Sequence, residues 1–383
     1  MKIGILTQPL HTNYGGLLQA YALQTTLKRL GHDPLILDRN YSQPSCLKRC
    51  LGPVKRCAIK YVMGKRDIEI FPFRPSLAQM DTISKETSKF VQKNINKTEK
   101  LYSTNELKRQ AETHQFDAYV VGSDQVWRLT SSPCITNYFL DFVEGGASVK
   151  RIAYAASFGV DYWHFDEKTT RQCSRLAKQF DAISVREDSG VELCRKHLGV
   201  DAVHVLDPTM LLAPDDYRAL LQVEDEPESP GDLMTYILDP SEEKTAVIQR
   251  IASALGVKPF TVMPLHRLNV ATQNSIEDCV YPPVTRWLRG YVDAKFVVTD
   301  SFHGCVFALL FNIPFIVIGN ERRGMTRFVS LLQQFNLRSR LVDLLNKSPE
   351  KIVSEPINYD FVNLKIASLK EYSLGILKNN LSA

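Results

Sequence analysis

No stretch of the 383 residues approaches the ~20 consecutive apolar residues that a bilayer-spanning helix needs. The chain opens directly into the β-branched segment Ile3 to Thr7, without the basic region and apolar core of a secretion signal. A cytoplasmic protein is therefore expected, with any membrane contact peripheral at the inner face. Eight cysteines, at 46, 50, 57, 134, 173, 194, 279 and 305, form no CxxC pair and lack the dense spacing of a secreted disulfide framework. They suit a reducing compartment, and no metal site is expected. Glycine-rich phosphate loops are missing too: Gly15 and Gly16 belong to neither a GxGxxG nor a P-loop pattern, so a nucleotide site does not follow from them. The 47 Lys and Arg exceed the 42 Asp and Glu by five, too small a surplus at this length to argue for nucleic acid.

What is present is alternation of strand and helix signals. Single cores stop growing at roughly 250–300 residues, so two domains are expected. Ile3 to Thr7 reads as a strand, His11 to Gly16 as a polar loop, and Leu17, Leu18, Tyr21, Ala22, Leu27 and Leu30 as the apolar side of a helix ending at Gly31. Leu35 to Asp38 is the next strand, completing a βαβ unit, which predicts a parallel sheet with ligand loops at the carboxyl ends of its strands. Further strands are expected at 118–122, 151–156, 182–185 and 202–206. The acidic, proline-bearing stretch Glu224 to Gly231 reads as a linker. Strands at 233–238, 261–263, 296–299 and 315–318, with helices at 242–255 and near 284–288, describe a second similar unit. The fold class expected is α/β, with two Rossmann-like domains of mainly parallel sheet, residues 1–223 and 232–350. A helical segment, 351–383, is expected to pack back on the first domain.

The strongest chemical signal is Asp300-Ser301-Phe302-His303-Gly304 between an apolar strand and an apolar helix. A histidine at a strand's carboxyl end, beside free helix N-terminal N–H groups, is placed for anion binding and proton transfer. Ser301 or Asp300 acting only as a helix cap beside a surface histidine is an equal alternative on spacing alone. Arg186 and the run Arg322 to Arg327 also follow strands, where a planar guanidinium suits phosphate or carboxylate; singly, such arginines are more often solvated. Ser123, Asp124, Gln125 and Trp127 follow one strand and Ser157 another, where they would face the same cleft or simply make turns. The basic stretch 47–66, with Leu51, Val54, Ile59 and Val62 interleaved, could lie on an anionic membrane, a solvated helix being the commoner meaning.

Taken in order, Asn13-Tyr14-Gly15-Gly16, Phe116 to Trp127, Ala156 to Gly159, Ser184 to Glu187, Leu206-Asp207-Pro208 and Thr299 to Gly304 resemble the polysaccharide pyruvyl transferase family over about residues 1–340. The resemblance implies a GT-B-like fold and transfer of the enolpyruvyl group of phosphoenolpyruvate to sugar hydroxyls, forming a pyruvate ketal in capsule or exopolysaccharide biosynthesis. It implies phosphoenolpyruvate as co-substrate with no other cofactor, and a glycan acceptor, an undecaprenyl-linked oligosaccharide or a nucleotide-linked sugar among the candidates. His303 would be the general acid; Arg186, Ser301 and Gly304 would hold the donor in the second domain. Relatives often carry an arginine just before the His-Gly unit, where this chain has Phe302; Arg323 or Arg327 is expected to replace it. Asn13, Tyr14, Gly15, Gly16, Ser123, Asp124, Gln125, Trp127 and Ser157 would hold the acceptor, with Tyr14 and Trp127 offering ring faces to a sugar. Two other readings of the same fold are a nucleotide-sugar glycosyltransferase and a non-catalytic glycan-binding protein.

Overall fold

The computed structural model describes residues 1–42, 56, 57, 60, 61, 70, 73, 75–144, 149–223, 225–320, 324–343 and 349–382. The basic stretch 47–66, apart from residues 56, 57, 60 and 61, lies outside the described residues, as does Arg323. No helix among the described residues is long and apolar enough to cross a membrane.

Among the described residues, eleven strands form two separate, wholly parallel sheets. The first joins β1 (Lys2–Leu6), β2 (Asp33–Ile36), β3 (Ala118–Val121), β4 (Lys150–Ala156), β5 (Ala182–Val185) and β6 (Val203–His204) in the order β2-β1-β3-β4-β5-β6. The second joins β7 (Leu233–Tyr236), β8 (Pro259–Thr261), β9 (Phe296–Thr299), β10 (Phe315–Ile318) and β11 (Leu341–Val342) in the order β11-β10-β9-β7-β8. This is the expected α/β class, with two parallel-sheet domains. Strands β3, β7, β9 and β10 are buried at every residue. That is the burial parallel strands acquire when helices cover both faces, and it is why they read as continuous apolar runs.

In each sheet the chain lays its second strand on one side of the first and then crosses to the other side. The switch lies between β1 and β3 in the first sheet and between β7 and β9 in the second. At a switch point adjacent crossovers leave in opposite directions and open a crevice at the strand carboxyl ends. Loop Thr7–Asn13, Gly122–Asp124 and Asp300–Ser301 all emerge there.

The helix Tyr14–Arg29 buries residues on nearly every face, including Tyr14, Leu17, Leu18, Ala22 and Leu23. A helix with one apolar side was expected; this one is wedged between its own sheet and the second domain, so its polar side is confined to a few positions. One apolar core runs from it to Trp287, Phe307 and Phe328 in the second domain. The C-terminal segment follows the short helix Pro349–Val353 with the long helix Tyr359–Leu381, whose Ser373 hydroxyl accepts the backbone N–H of Leu206 at 3.1 Å in the first domain.

Candidate active site

The segment carrying His303 is fixed from below. Thr299 Oγ1 donates to the Tyr236 carbonyl at 2.7 Å and accepts the Ser301 N–H at 3.0 Å. The fully buried Asp300 carboxylate accepts the N–H groups of Leu238 (2.6 Å) and Asp239 (3.0 Å), and pairs with Lys244 Nζ at 2.6 Å. Its role is to anchor the turn. Ser301 caps the helix Phe302–Leu310, its hydroxyl accepting the Gly304 N–H at 3.4 Å. A side chain at Gly304 would place Cβ 2.2 Å from Thr299 Oγ1, so only glycine lets the helix start this close to the strand. The cap reading of Ser301 thus holds together with a buried, not a surface, histidine: His303 is 5% exposed.

Across the domain seam the imidazole lies against Gly15, where an added Cβ would fall 2.2 Å from both Cγ and Nδ1. Nε2 stands 3.5 Å from Asp207 Oδ2, an ion-pair distance longer than an ordinary hydrogen bond. The same Oδ2 accepts Arg186 Nη1 at 2.8 Å, while Oδ1 is held by the Thr209 N–H (3.0 Å) and hydroxyl (2.7 Å). Arg186 Nη2 donates to Asp124 Oδ1 at 3.0 Å. Its guanidinium lies 4.4 Å from the centre of the Phe302 ring, and that of Arg327 lies 5.6 Å from the same ring. Phe302 is therefore a platform flanked by two cations.

These charges are buried and set one another's ionisation. Burial alone would raise the Asp207 carboxyl, but His303 and Arg186 outweigh it and hold it far below the usual carboxylate range. Asp124 is likewise lowered, against its burial, by Arg186, His303 and Arg327. Asp124 and Asp207 overcome the burial of Arg186 and raise its pKa. Arg327 is pushed down to about 10 by burial and by Arg186, and is still a cation at neutral pH.

A second contact closes the seam. The buried Glu187 carboxylate gathers the Ser157 hydroxyl (3.0 Å) and the N–H groups of Phe158 (2.7 Å) and Gly159 (3.1 Å). The Gly159 carbonyl then faces Gly324, where an added Cβ would fall 1.8 Å from its oxygen. Gly324, at φ +89°, precedes the helix Met325–Gln334 that carries Arg327.

His303, Arg186, Asp124, Ser123, Ser301, Gly304, Arg327, Gly15 and Ser157 thus gather at the facing strand ends. Two expectations need correction. Tyr14 is fully buried, its hydroxyl donating to the carbonyls of Pro282 (2.9 Å) and Val262 (3.2 Å) and its ring stacked on Trp287. Trp127 is fully buried as well, stacked on Phe139 with Nε1 donating to the Tyr138 carbonyl at 2.9 Å. Neither ring has a face left for a sugar. Gln125 is half-buried and accepts from Arg128 at 2.6 Å; Gly16 packs against the exposed Asn13. Arg186 was expected to clamp the donor; Nη1 and Nη2 each donate to a carboxylate, while its buried Nε has no partner. Asp207 and Glu187 were missed, although each sits inside a strand-end segment already singled out. Among the described residues no group of three or more His, Cys, Asp or Glu could hold a metal ion.

Residues 13–322 match the polysaccharide pyruvyl transferase family. The chain belongs to this family. The matched span runs from the start of the helix bearing Gly15 to just beyond β10, and leaves Thr7–Thr12, Gly324 and Arg327 outside it. Curated protein sequences offer no match. Among solved structures, UDP-GlcNAc 2-epimerase from Neisseria meningitidis bound to UDP-GlcNAc is 12% identical at a TM-score of 0.47, covering 99% of this chain and 100% of that one. The S. aureus MnaA–UDP co-structure is 12% identical at 0.49, covering 99% and 96%. At these identities and scores the likenesses carry no functional argument.

Proposed function

We propose that this member of the polysaccharide pyruvyl transferase family moves the enolpyruvyl group of phosphoenolpyruvate onto two hydroxyls of a sugar, forming a pyruvate ketal. The observation that carries the reading is His303, held at the carboxyl end of β9 and facing Asp207 across the seam at 3.5 Å. Ketal formation begins with a proton delivered to the methylene carbon of phosphoenolpyruvate, which leaves an oxocarbenium-like centre at C2. His303 would supply that proton, with Asp207 orienting the ring and providing countercharge for the imidazolium. One sugar hydroxyl adds to C2, the C2–O bond to phosphate breaks, and the second hydroxyl adds. Of the two hydroxyl protons released, one restores His303 and the other leaves with the phosphate, so the sum is donor plus diol giving ketal plus phosphate.

Donor binding needs cations. Arg327 beside Phe302 supports the replacement of the arginine that relatives often carry before His303, and Arg186 becomes available once the donor competes with Asp124. Because His303, Arg186 and Arg327 are each about 5% exposed or less, entry requires the domains to part at the Gly15–His303 and Gly159–Gly324 contacts. The test is phosphate release from phosphoenolpyruvate in the presence of sugar acceptors: His303→Ala should lose about 10²–10⁴-fold in rate, the usual contribution of a positioned acid. Release by the variant at the wild-type rate would remove His303 from the chemistry.

A further inference from the structure

On the first-domain side, reaching the loop that leads to Gly15, a cavity of about 650 Å³ opens between the loop after β1, the chain after β2, and the helices Leu77–Ile83 and Lys85–Asn94. This lies within the range of small-molecule sites, roughly 300–1,000 Å³. Its lining combines apolar side chains such as Leu10, Leu77, Met80 and Val91 with charged groups that are balanced in sign. The Asp38 carboxylate, almost wholly buried, accepts Asn40 Nδ2 at 2.8 Å and pairs with Lys97 Nζ at 2.9 Å. Lys85 is paired with Glu277 at 2.7 Å, and Lys100 lies 3.9 Å from Asp81. Each lysine therefore meets a carboxylate, and the walls offer mixed donors and acceptors rather than the uncompensated positive charge that a pyrophosphate needs. Tyr41 and Tyr102, 50% and 37% exposed, add accessible aromatic surface. Adjacent donors and acceptors with an aromatic face match a ring bearing hydroxyls on its edge and C–H groups on its face.

His11 stands on the side of this cavity nearest the seam. It lines the cavity and also a second one of about 400 Å³ that continues toward Tyr236, Arg267 and Tyr281 of the second domain. Its Nδ1 accepts the Thr12 N–H at 2.7 Å, which places the ring proton of the neutral form on Nε2. Its side chain is solvent-exposed, yet the surrounding cleft walls desolvate the ring enough to lower its pKa; Asp38 and Asp124 oppose this without reversing it. The ring thus presents a fixed, uncharged N–H donor. It lies four residues before Gly15, which abuts His303, so the Cα atoms of His11 and Gly15 are within about 14 Å.

Resting on the pyruvyl-transfer reading, we infer that this cavity is the acceptor subsite and holds an uncharged pyranose ring of the glycan, with Asn40, positioned by Asp38, gripping a hydroxyl and His11 Nε2–H donating to another of its oxygens. The pyrophosphate of any carrier lies outside it.

The test uses saturation-transfer NMR on the full-length protein with methyl glycosides of glucose, galactose and mannose, alongside acceptor kinetics. Ser88→Trp fills the cavity, and Asn40→Ala, a truncation at its edge, guards against misfolding of the first variant. At least one glycoside should receive saturation from wild type, lose it in Ser88→Trp, and keep it in the presence of inorganic pyrophosphate. Asn40→Ala should raise the acceptor KM about threefold to tenfold, the worth of one hydrogen bond, with the phosphoenolpyruvate KM unchanged. No glycoside signal from wild type, signal undiminished in Ser88→Trp, or displacement by pyrophosphate would overturn the inference. Glycoside binding that both variants weaken, in a wild-type protein that never releases phosphate from phosphoenolpyruvate, would keep the sugar site and defeat pyruvyl transfer. Turnover by Ser88→Trp at the wild-type acceptor KM would do the reverse.

Discussion

Gly15 and His303 meet across the domain seam so closely that one added methyl on the glycine would lie 2.2 Å from the imidazole. The pair couples the first domain's loop to the acid of the second. Gly15→Ala should stabilise its own helix by up to about 1 kcal/mol through propensity, yet push His303 aside. A displacement near 1 Å costs about 10²-fold in rate. The expected result is a kcat lowered by about that factor with an unfolding midpoint changed by only a few degrees. An unchanged kcat would mean the seam opens before His303 acts and closes differently.

Asp207 carries a prediction about acid stability. Its carboxyl is held far below the usual range, so its stabilising contribution is fully present above the unfolded-state pKa of about 3.9 and declines as pH falls below it. Asp207→Asn leaves Arg186 short of one of its two carboxylates, and breaking a buried pair costs about 3–5 kcal/mol. Urea unfolding between pH 7 and pH 3 should show that deficit at pH 7 and a shrinking gap to wild type below about pH 4. A gap constant with pH would contradict the assignment.

Arg327 is tested by charge removal. It is a cation at neutral pH and loses that charge as pH rises through about 10. Arg327→Met should raise the phosphoenolpyruvate KM about tenfold or more, consistent with the loss of a charge-assisted contact. In wild type the donor KM should climb between pH 9 and pH 10.5, and the variant should lack that limb. Equal donor KM values in the two proteins would return the donor site to Arg186 and residues 321–323.

Tyr14 distinguishes a domain strut from a sugar platform. Tyr14→Phe removes a hydroxyl donating to the Pro282 and Val262 carbonyls and should cost about 1 kcal/mol of stability. The acceptor KM should not move. A rise in that KM at unchanged stability would restore Tyr14 to the acceptor site.

The sequence was legible where local periodicity and strand-end chemistry coincide. Ala182–Val185, Phe296–Thr299, Phe315–Ile318 and Glu242–Leu255 match their expected bounds because apolar runs closed by polar turns leave little alternative. The two-residue strand β11 was illegible, since its pairing with β10 is tertiary and Leu341 and Val342 show no period. The histidine, both arginines and the strand-end polar residues were visible as types. Their partners were not: that Asp207 would divide itself between Thr209, Arg186 and His303 depends on β6 standing beside β5, with the second domain placed over it. Tyr14 and Trp127 were misread for the same reason, because an aromatic beside a polar loop looks alike whether it faces a ligand or a neighbouring domain.

The measurement closest to the central claim is phosphate release from phosphoenolpyruvate, with mass spectrometry of the acceptor, for wild type and His303→Ala presented with cell-envelope glycan precursors. Pyruvyl transfer predicts release that requires the acceptor, a product mass higher by one pyruvyl ketal, and loss of both in the variant. Phosphate release without acceptor modification, or an acceptor modified equally by His303→Ala, would contradict it.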